Sequence, residues 1–356
     1  MNTKTNTLII LDSLKYKERE GILKDSLSTY CNAEFYYTYY ENNLVKFFHG
    51  LAVVGNLLSH LAYWTISFNA ACKLFFFRKK LSHKIFINPI VAIFYCFLLN
   101  LSRRKEIVVI AGFLFEAKKN KLYFNLRKKF VNVCYKNASS IVVYSKNEIS
   151  LYSEWFPELA NKFVFIKYGR DFDIFEENTY TSIDAYIASG GVSNRDFKTL
   201  ISAFRVIQKG GSELKCKIAT RPQACAEPDK LPNVSVLYDI RIDRFGSFLD
   251  KSLFVIIPLA NTFLSAGHMA LLESMYRKKI ILITDIPAVR DYVDENTVFF
   301  YNAEDPEDMA IKIKYIYDNI NTEAVVRKSL LAHEYYQTDY NFASLLTRIV
   351  KYSISS

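Results

Sequence analysis

The sequence predicts an α/β protein built from two doubly wound parallel domains, and three observations predict it. Short apolar strand patterns alternate with longer helical patterns along both halves of the chain, as crossover-connected parallel strands require. The alternation breaks around Tyr168 to Thr181 (YGRDFDIFEENTYT), where the chain turns polar and acidic and loses its periodicity. At 356 residues the chain also exceeds what one hydrophobic core usually serves. A first domain is expected over 1–172, a second over 173–338 and a terminal helical segment over 339–356.

The first-half strands are expected at Leu8–Leu11, Glu34–Tyr39, Ile107–Ala111, Ile141–Tyr144 and Phe163–Lys167, each a short apolar run. Helices fill the gaps, among them Pro89–Leu101, Asn125–Lys136 and Lys146–Trp155. After the break the strands resume at Ala185–Ser189, Lys217–Thr220, Val234–Leu237, Phe254–Pro258, Ile280–Ile283 and Val298–Tyr301. Ala303-Glu304-Asp305-Pro306 then open a helix with acids in its first turn, where the helix dipole favours them. Three helices finish the chain, the last over Asn341–Tyr352.

Composition narrows the class. Hydrophobic residues make up 51% and aromatics 15%, which excludes disorder and leaves material for two cores. Lys and Arg number 46 against 36 Asp and Glu, a net charge of +10 that favours anionic partners. Nucleic acid is not the expected one, because the bases fall in short bursts rather than along one recognition element. The six cysteines are scattered with no C-x2-C pair, so neither a disulfide framework nor a zinc site is expected, and a reducing cytoplasm is the natural compartment. The apolar stretch at the N-terminus is too short for a signal peptide. Leu61 to Phe77, followed by Arg78-Lys79-Lys80, and Ile85 to Leu101, followed by Arg103-Arg104-Lys105, both fall short of the roughly 20 apolar residues a span needs. The second contains Asn88-Pro89, as a strand-to-helix turn would. Buried helices are the plain reading, and a peripheral surface meeting anionic lipid is the sharper one.

The most informative segment is Phe254 to Asp291. A buried strand leads through a short loop to Ser265, an N-cap residue type, and to Gly267, where the backbone can approach a ligand closely. A helix over Ala266 to Met275 follows, then a second strand. Such a helix N-terminus presents unpaired amides and partial positive charge, a ready phosphate site. Glu273 lies about 80° from Ser265 on the helix wheel, so both can face one ligand.

The segment PL-x5-SAGHMALLESM-x3-K, followed by I-x-TD, VRDYV and the acidic turn AEDPEDMA, resembles the nucleotide-sugar site of the family-4 retaining glycosyltransferases. A second match is YIASGGVSNRDFKTLISAF, from Tyr186 to Phe204. The resemblance covers the chain from Tyr186 to its end, and the first half fits as a general Rossmann pattern. It implies the GT-B fold, two Rossmann-like doubly wound domains facing across a cleft, with the last helix crossing back onto the first domain. It further implies transfer of a sugar from a nucleoside-diphosphate sugar to a saccharide or lipid-linked oligosaccharide acceptor, with no cofactor. The family's Glu-x7-Glu motif keeps its second acid as Glu273, which inherits the contact to the ribose. Its first acid is replaced by Ser265, which carries no charge. Arg195 takes the position of the family's phosphate-binding lysine, and Gly190 stands where the family has an arginine. The amides of Ala266, Gly267 and His268 would hold phosphate or sugar oxygens.

Other candidates carry alternatives. Gly190-Gly191 at a strand end is either a plain turn or a phosphate loop, and GGVSN does not fit G-x-G-x-x-G. Arg221, after a strand, is a second-rank phosphate or base contact, and Lys198 a solvated helix residue. Thr284-Asp285 and Arg290-Asp291 either line the cleft or form a local pair that fixes the loop. The histidines show no metal spacing, so no metal is implied. His49 is expected to be structural, and the acceptor is expected near Gly112, Phe113 and Glu116. No catalytic base is assigned. Within the enzymes, a nucleotide-sugar epimerase of the same fold is the alternative, and a non-catalytic scaffold is another.

Overall fold

The computed structural model describes residues 4–38, 55–78, 81, 83–102, 104–117, 120–172, 185–226, 231–238, 242–260 and 264–355. The chain divides into two units, 1–166 with 346–356, and 167–345. The first unit runs β1 (Thr5–Leu11), α1 (Glu20–Leu27), β2 (Cys31–Tyr37), α2 (Gly55–Phe77), β3 (His83–Phe86), α3 (Pro89–Asn100), β4 (Ile107–Ile110), α4 (Lys121–Tyr135), β5 (Ser140–Val143), α5 (Lys146–Trp155) and β6 (Phe163–Phe165). Its six strands are all parallel, in the order β2-β1-β3-β4-β5-β6. Runs such as IVVI in β4 and SIVV in β5 are buried almost throughout, as strands covered on both faces must be.

Asn88-Pro89 is the strand-to-helix turn its composition implies. Asn88 Oδ1 accepts from the amides of Ile90 (3.0 Å) and Val91 (3.3 Å), and Pro89 fills the first helical position, where no amide is needed. β3 is absent from the expected strands because its four residues include a charged one, Lys84. That lysine is fully buried and lies 2.7 Å from Glu106 Oε2, which also accepts from Tyr95. Burial pushes the Lys84 pKa down, while the Glu106 carboxylate pushes it up.

The second unit runs β7 (Ile187–Gly190), α6 (Phe197–Lys209), β8 (Cys216–Thr220), β9 (Val234–Tyr238), α7 (Ile242–Asp250), β10 (Val255–Ile257), α8 (His268–Tyr276), β11 (Ile281–Asp285), the short α9 (Pro287–Arg290), β12 (Phe299–Asn302), α10 (Pro306–Asp318), α11 (Glu323–Tyr335) and the first residues of α12 (Phe342–Ser355), most of which belongs to the first unit. Its parallel strands lie in the order β12-β11-β10-β7-β8-β9. The chain therefore winds one way from β7 to β9, then reverses, and the switch falls between β7 and β10.

The division falls at Ile166/Lys167, ahead of the expected 172/173. Backbone and side-chain bonds tie 168–171 to the second unit: Tyr168 N to Tyr292 OH (2.8 Å), Tyr336 OH to Arg170 O (2.8 Å) and Phe342 N to Asp171 Oδ1 (3.0 Å). The return to the first unit comes at Leu346, inside α12 rather than at 339, and there Lys351 sits over the Tyr30 ring. Tyr39, the last residue of one expected strand, lies outside the described residues.

Removing one partner of a buried ion pair leaves a charge with neither water nor counterion. Glu106→Ala is expected to lower the unfolding free energy by about 3–5 kcal/mol. Chemical denaturation of the two proteins checks this, and a loss within about 0.5 kcal/mol would place the pair in solvent.

Candidate functional site

At the strand-order switch of the second sheet, loop is laced onto loop. The segment after β7 runs over the end of β10, with Asp196 N donating to Pro258 O and Ala260 N to Asn194 O, both at 3.0 Å. Arg195 pairs antiparallel with Leu259. Leu259 N donates in turn to Thr284 Oγ1 on β11 (2.7 Å), and that hydroxyl bonds Tyr301 OH on β12 (2.5 Å). The carboxyl ends of four strands thus share one hydrogen-bonded platform. Open parallel sheets bind ligands outside the carboxyl ends of their strands at such a switch.

Arg195 is pinned to this platform. Its Nε donates to Gly190 O (2.8 Å) and its Nη1 to Ser193 O (3.1 Å). Burial lowers its pKa to about 10, so it stays cationic at neutral pH. Gly191 has φ +113°, and a Cβ there would stand 2.5 Å from Arg195 Nη2, so the guanidinium needs glycine beneath it. Asp196 caps α6 through Thr199 N (3.0 Å).

The helix expected from Ala266 starts at His268, and its cap is Gly267 rather than Ser265. Gly267 has φ +77°, and a Cβ there would meet Leu259 Cδ2 at 2.8 Å, so this residue turns the chain and the helix begins after it. His268 is buried against Tyr292, with ring centroids 4.2 Å apart, and is held by a backbone hydrogen bond at Ala288. Burial depresses its pKa to about 4, so the ring is neutral at pH 7. Its Nε2 is buried and has no hydrogen-bond partner among the described residues. With the other nitrogen donating to a carbonyl, Nε2 is an acceptor, suited to a hydroxyl donor.

Glu273 stands in the second turn of α8 with its side chain only 14% exposed. Its Oε1 accepts from Arg277 Nε (3.3 Å) and Nη2 (3.2 Å), and Arg277 Nη1 reaches Asp250 Oδ2 at 2.5 Å. A Cβ at Gly246 of α7 would overlap Arg277 Nη2, so the guanidinium lies where that helix lacks a side chain. Burial raises the Glu273 pKa, and Arg277 opposes the rise.

The remaining candidates separate. Arg221 is exposed at the carboxyl end of β8, one strand from the switch, and Lys198 is exposed on α6. Arg290 forms a bidentate pair with Asp285, both bonds 2.7 Å, and also meets Glu295, so that alternative resolves as a local pair fixing the loop. In the first unit Phe113 belongs to the core, edge-on to Tyr152 at 5.0 Å, while Gly112 turns the chain after β4 at φ +78° and Glu116 is half-buried. His49 lies outside the described residues. No group of His, Cys, Asp or Glu among the described residues is arranged to hold a metal ion.

Two residues escaped the sequence reading. Arg277 was legible in principle, four residues after Glu273 on one helix face. Arg170 was not, since it lies in the aperiodic break. Its Nη1 stands 3.1 Å from Met269 Sδ at the start of α8, and its charge acts on Glu273.

No protein-family model matches the chain, and no curated protein matches it by sequence. Solved structures do share its fold over its full length. A glycosyltransferase from Rickettsia africae ESF-5 superposes with a TM-score of 0.60 at 14% identity, covering 100% of this chain and 99% of that one. The Anabaena protein HepE in complex with UDP-glucose gives 0.60 at 13% identity, with 98% and 99% covered. Sucrose-phosphate synthase from Thermosynechococcus elongatus gives 0.59 at 10% identity, with 98% of each chain covered. The chain has the GT-B fold, with two Rossmann-like units of parallel sheet and helices.

The depressed His268 pKa has a direct consequence for stability. The native state favours the neutral ring, so the contribution is complete above the unfolded value of 6.5 and is lost as pH falls from there towards about 4. Relative to His268→Gln, the native chain is expected to lose up to about 3 kcal/mol across that window. Urea unfolding of both proteins at pH 7.5 and 4.5 measures it. Parallel losses in the two would mean that the ring titrates as if in water.

Proposed function

We propose that the chain is a hexosyltransferase-type glycosyltransferase. It moves a sugar from a nucleoside-diphosphate sugar to a saccharide or lipid-linked oligosaccharide acceptor, retaining the anomeric configuration, in the building of a surface polysaccharide. The observation that carries this reading is the strand-order switch of the second unit, which gathers a helix N-terminus, a glycine turn, a fixed arginine and a helix carboxylate. The reading is supported by a fold shared along the chain with a protein solved with UDP-glucose.

In this reading Arg195 and the amides of Ala266, Gly267 and His268 hold the diphosphate. Gly190, packed against Ala219 and Phe245, and Gly191, beneath the guanidinium, serve to seat Arg195 rather than to touch the ligand. Glu273 accepts from the ribose hydroxyls, with Arg277 keeping its carboxylate in place. His268 Nε2 accepts from a hydroxyl of the donor, and Ser265 offers one neutral hydrogen bond near the sugar. Arg221 flanks the nucleotide. Charge grows on the leaving diphosphate as the glycosidic bond breaks, and each well-placed donor stabilises it by about 3 kcal/mol. The chemistry uses no cofactor and no metal. The protein works in the cytoplasm, peripherally at the inner face of the membrane.

Ser265 favours a second reading, a scaffold that binds nucleotide sugar without turning it over, because the first motif acid is gone. An epimerase of this fold would consume donor without any acceptor. Thermal-shift screening against a panel of nucleotide sugars finds the donor, since a hundredfold excess over Kd stabilises by about 2.7 kcal/mol. Product analysis with and without acceptor then separates the three. No shift with any nucleotide sugar would remove all of them.

Glu273→Ala is expected to weaken donor binding by at least about tenfold while circular dichroism stays native, since two hydrogen bonds to a charged acceptor are lost. Glu273→Gln, which keeps one contact, is expected to fall between. Donor titration by calorimetry checks the order, and equal affinities would take the ribose away from this helix.

Arg195→Ala is expected to lower kcat more than it raises KM for the donor, because the leaving-group charge is greatest in the transition state. Arg195→Lys should recover part of the rate. Steady-state kinetics of the three proteins decide this, and unchanged kcat would make Arg195 a structural cation of the platform alone.

A further inference from the structure

Helix α4 has two apolar faces. Val131, Cys134 and Tyr135 are buried in the first unit. On the opposite side, at spacings of four, four and three, stand Leu122, Leu126, Phe130 and Val133, with Leu122 71% and Leu126 59% exposed. A helix of a globular protein ordinarily turns charged and polar residues to that side. The stripe continues onto the neighbouring helices. Phe94 of α3 packs edge-on against the exposed Trp64 (5.8 Å) and Phe68 (5.4 Å) of α2. Asn100, at the end of α3, donates to the carbonyls of Val133 (2.6 Å) and Cys134 (3.3 Å), which brings Leu101, 73% exposed, beside the end of α4.

The charge of this surface has one sign. None of α2, α3 and α4 contains an Asp or Glu, and the chain carries none from Asn42 to Lys105 or from Ala117 to Asn147. Lys129 flanks the α4 stripe on the helix wheel, Lys121 is exposed at the start of the same helix, and Lys73 lies on α2. A second copy of the chain would set bases against bases there, with no carboxylate to offset them. An anionic bilayer matches both features, because apolar side chains enter the acyl boundary while lysines meet lipid phosphates.

We infer that the outward faces of α2, α3 and α4 form a docking surface for an anionic lipid bilayer, with α4 lying in the interfacial plane. The inference rests on the membrane-surface part of the proposed function and moves the contact from the basic triplets to α4. It does not depend on sugar transfer. No helix among the described residues is long and apolar enough to cross a membrane, so the contact is one of lying on the surface.

The test is co-sedimentation with vesicles of phosphatidylcholine, with and without phosphatidylglycerol, at low salt. The native chain and the double variant Leu126→Glu/Val133→Glu are compared, with Ile22→Glu as control. Ile22 is an exposed apolar residue on α1. Thermal unfolding confirms that each variant is folded. The native chain and the control should pellet with anionic vesicles, and the double variant should partition about tenfold less or weaker. A native chain that ignores anionic vesicles overturns this surface and the membrane reading together. Equal pelleting of native chain and double variant overturns this surface alone, as does equal binding to neutral vesicles. A native dimer that the double variant dissolves, without vesicle binding, would assign the face to a second copy and also overturn the inference.

Discussion

The candidate site depends on the lacing of the loop after β7 onto the loop after β10. Those loops leave adjacent strands where the second sheet reverses its winding. Their backbone groups pair with each other: Asp196 with Pro258, Ala260 with Asn194, and Arg195 with Leu259. Thr284 and Tyr301 extend the bonding to β11 and β12. Because these backbone pairs are made within the protein, the laced part of the platform has its shape before any ligand arrives. Preorganised donors of this kind avoid reorganisation when charge develops.

The charged side chains of the site follow the same principle. Arg195 is held by two carbonyls rather than by a carboxylate, so its positive charge is fixed in place without being neutralised. Glu273 is treated differently. Burial works against its ionised form, and Arg277, itself held by Asp250, offsets part of that effect. His268 is kept neutral by burial beside Tyr292. In the proposed reading this cation, this carboxylate and this neutral acceptor serve one ligand that carries both phosphates and hydroxyls.

The first unit has a different chemistry. Its buried Lys84 is matched by Glu106, whereas the helices α2 to α4 carry bases with no acid among them. An apolar stripe exposed on α4 gains nothing for folding, since the core of that unit is already supplied by the opposite face.

The alternation of apolar strands and helices was enough to determine two doubly wound units, because a parallel strand buried on both faces and a crossover helix each leave a local pattern. The strand–loop–helix–strand order of the segment from Phe254 to Asp291 was equally legible, since a strand, a glycine loop and a helix follow in sequence. Residues whose roles depend on partners far along the chain were not. β3 hid behind Lys84, whose burial needs Glu106. The start of α8 slipped from Ala266 to His268, because Gly267 takes a left-handed turn packed against Leu259, where a side chain has no room. Arg170 in the break and Gly246 under Arg277 have no local signature at all. Periodicity and turn chemistry are short-range and can be read from the chain, whereas burial of a charge and the pairing of loops are long-range and were decided only when the strands took their order.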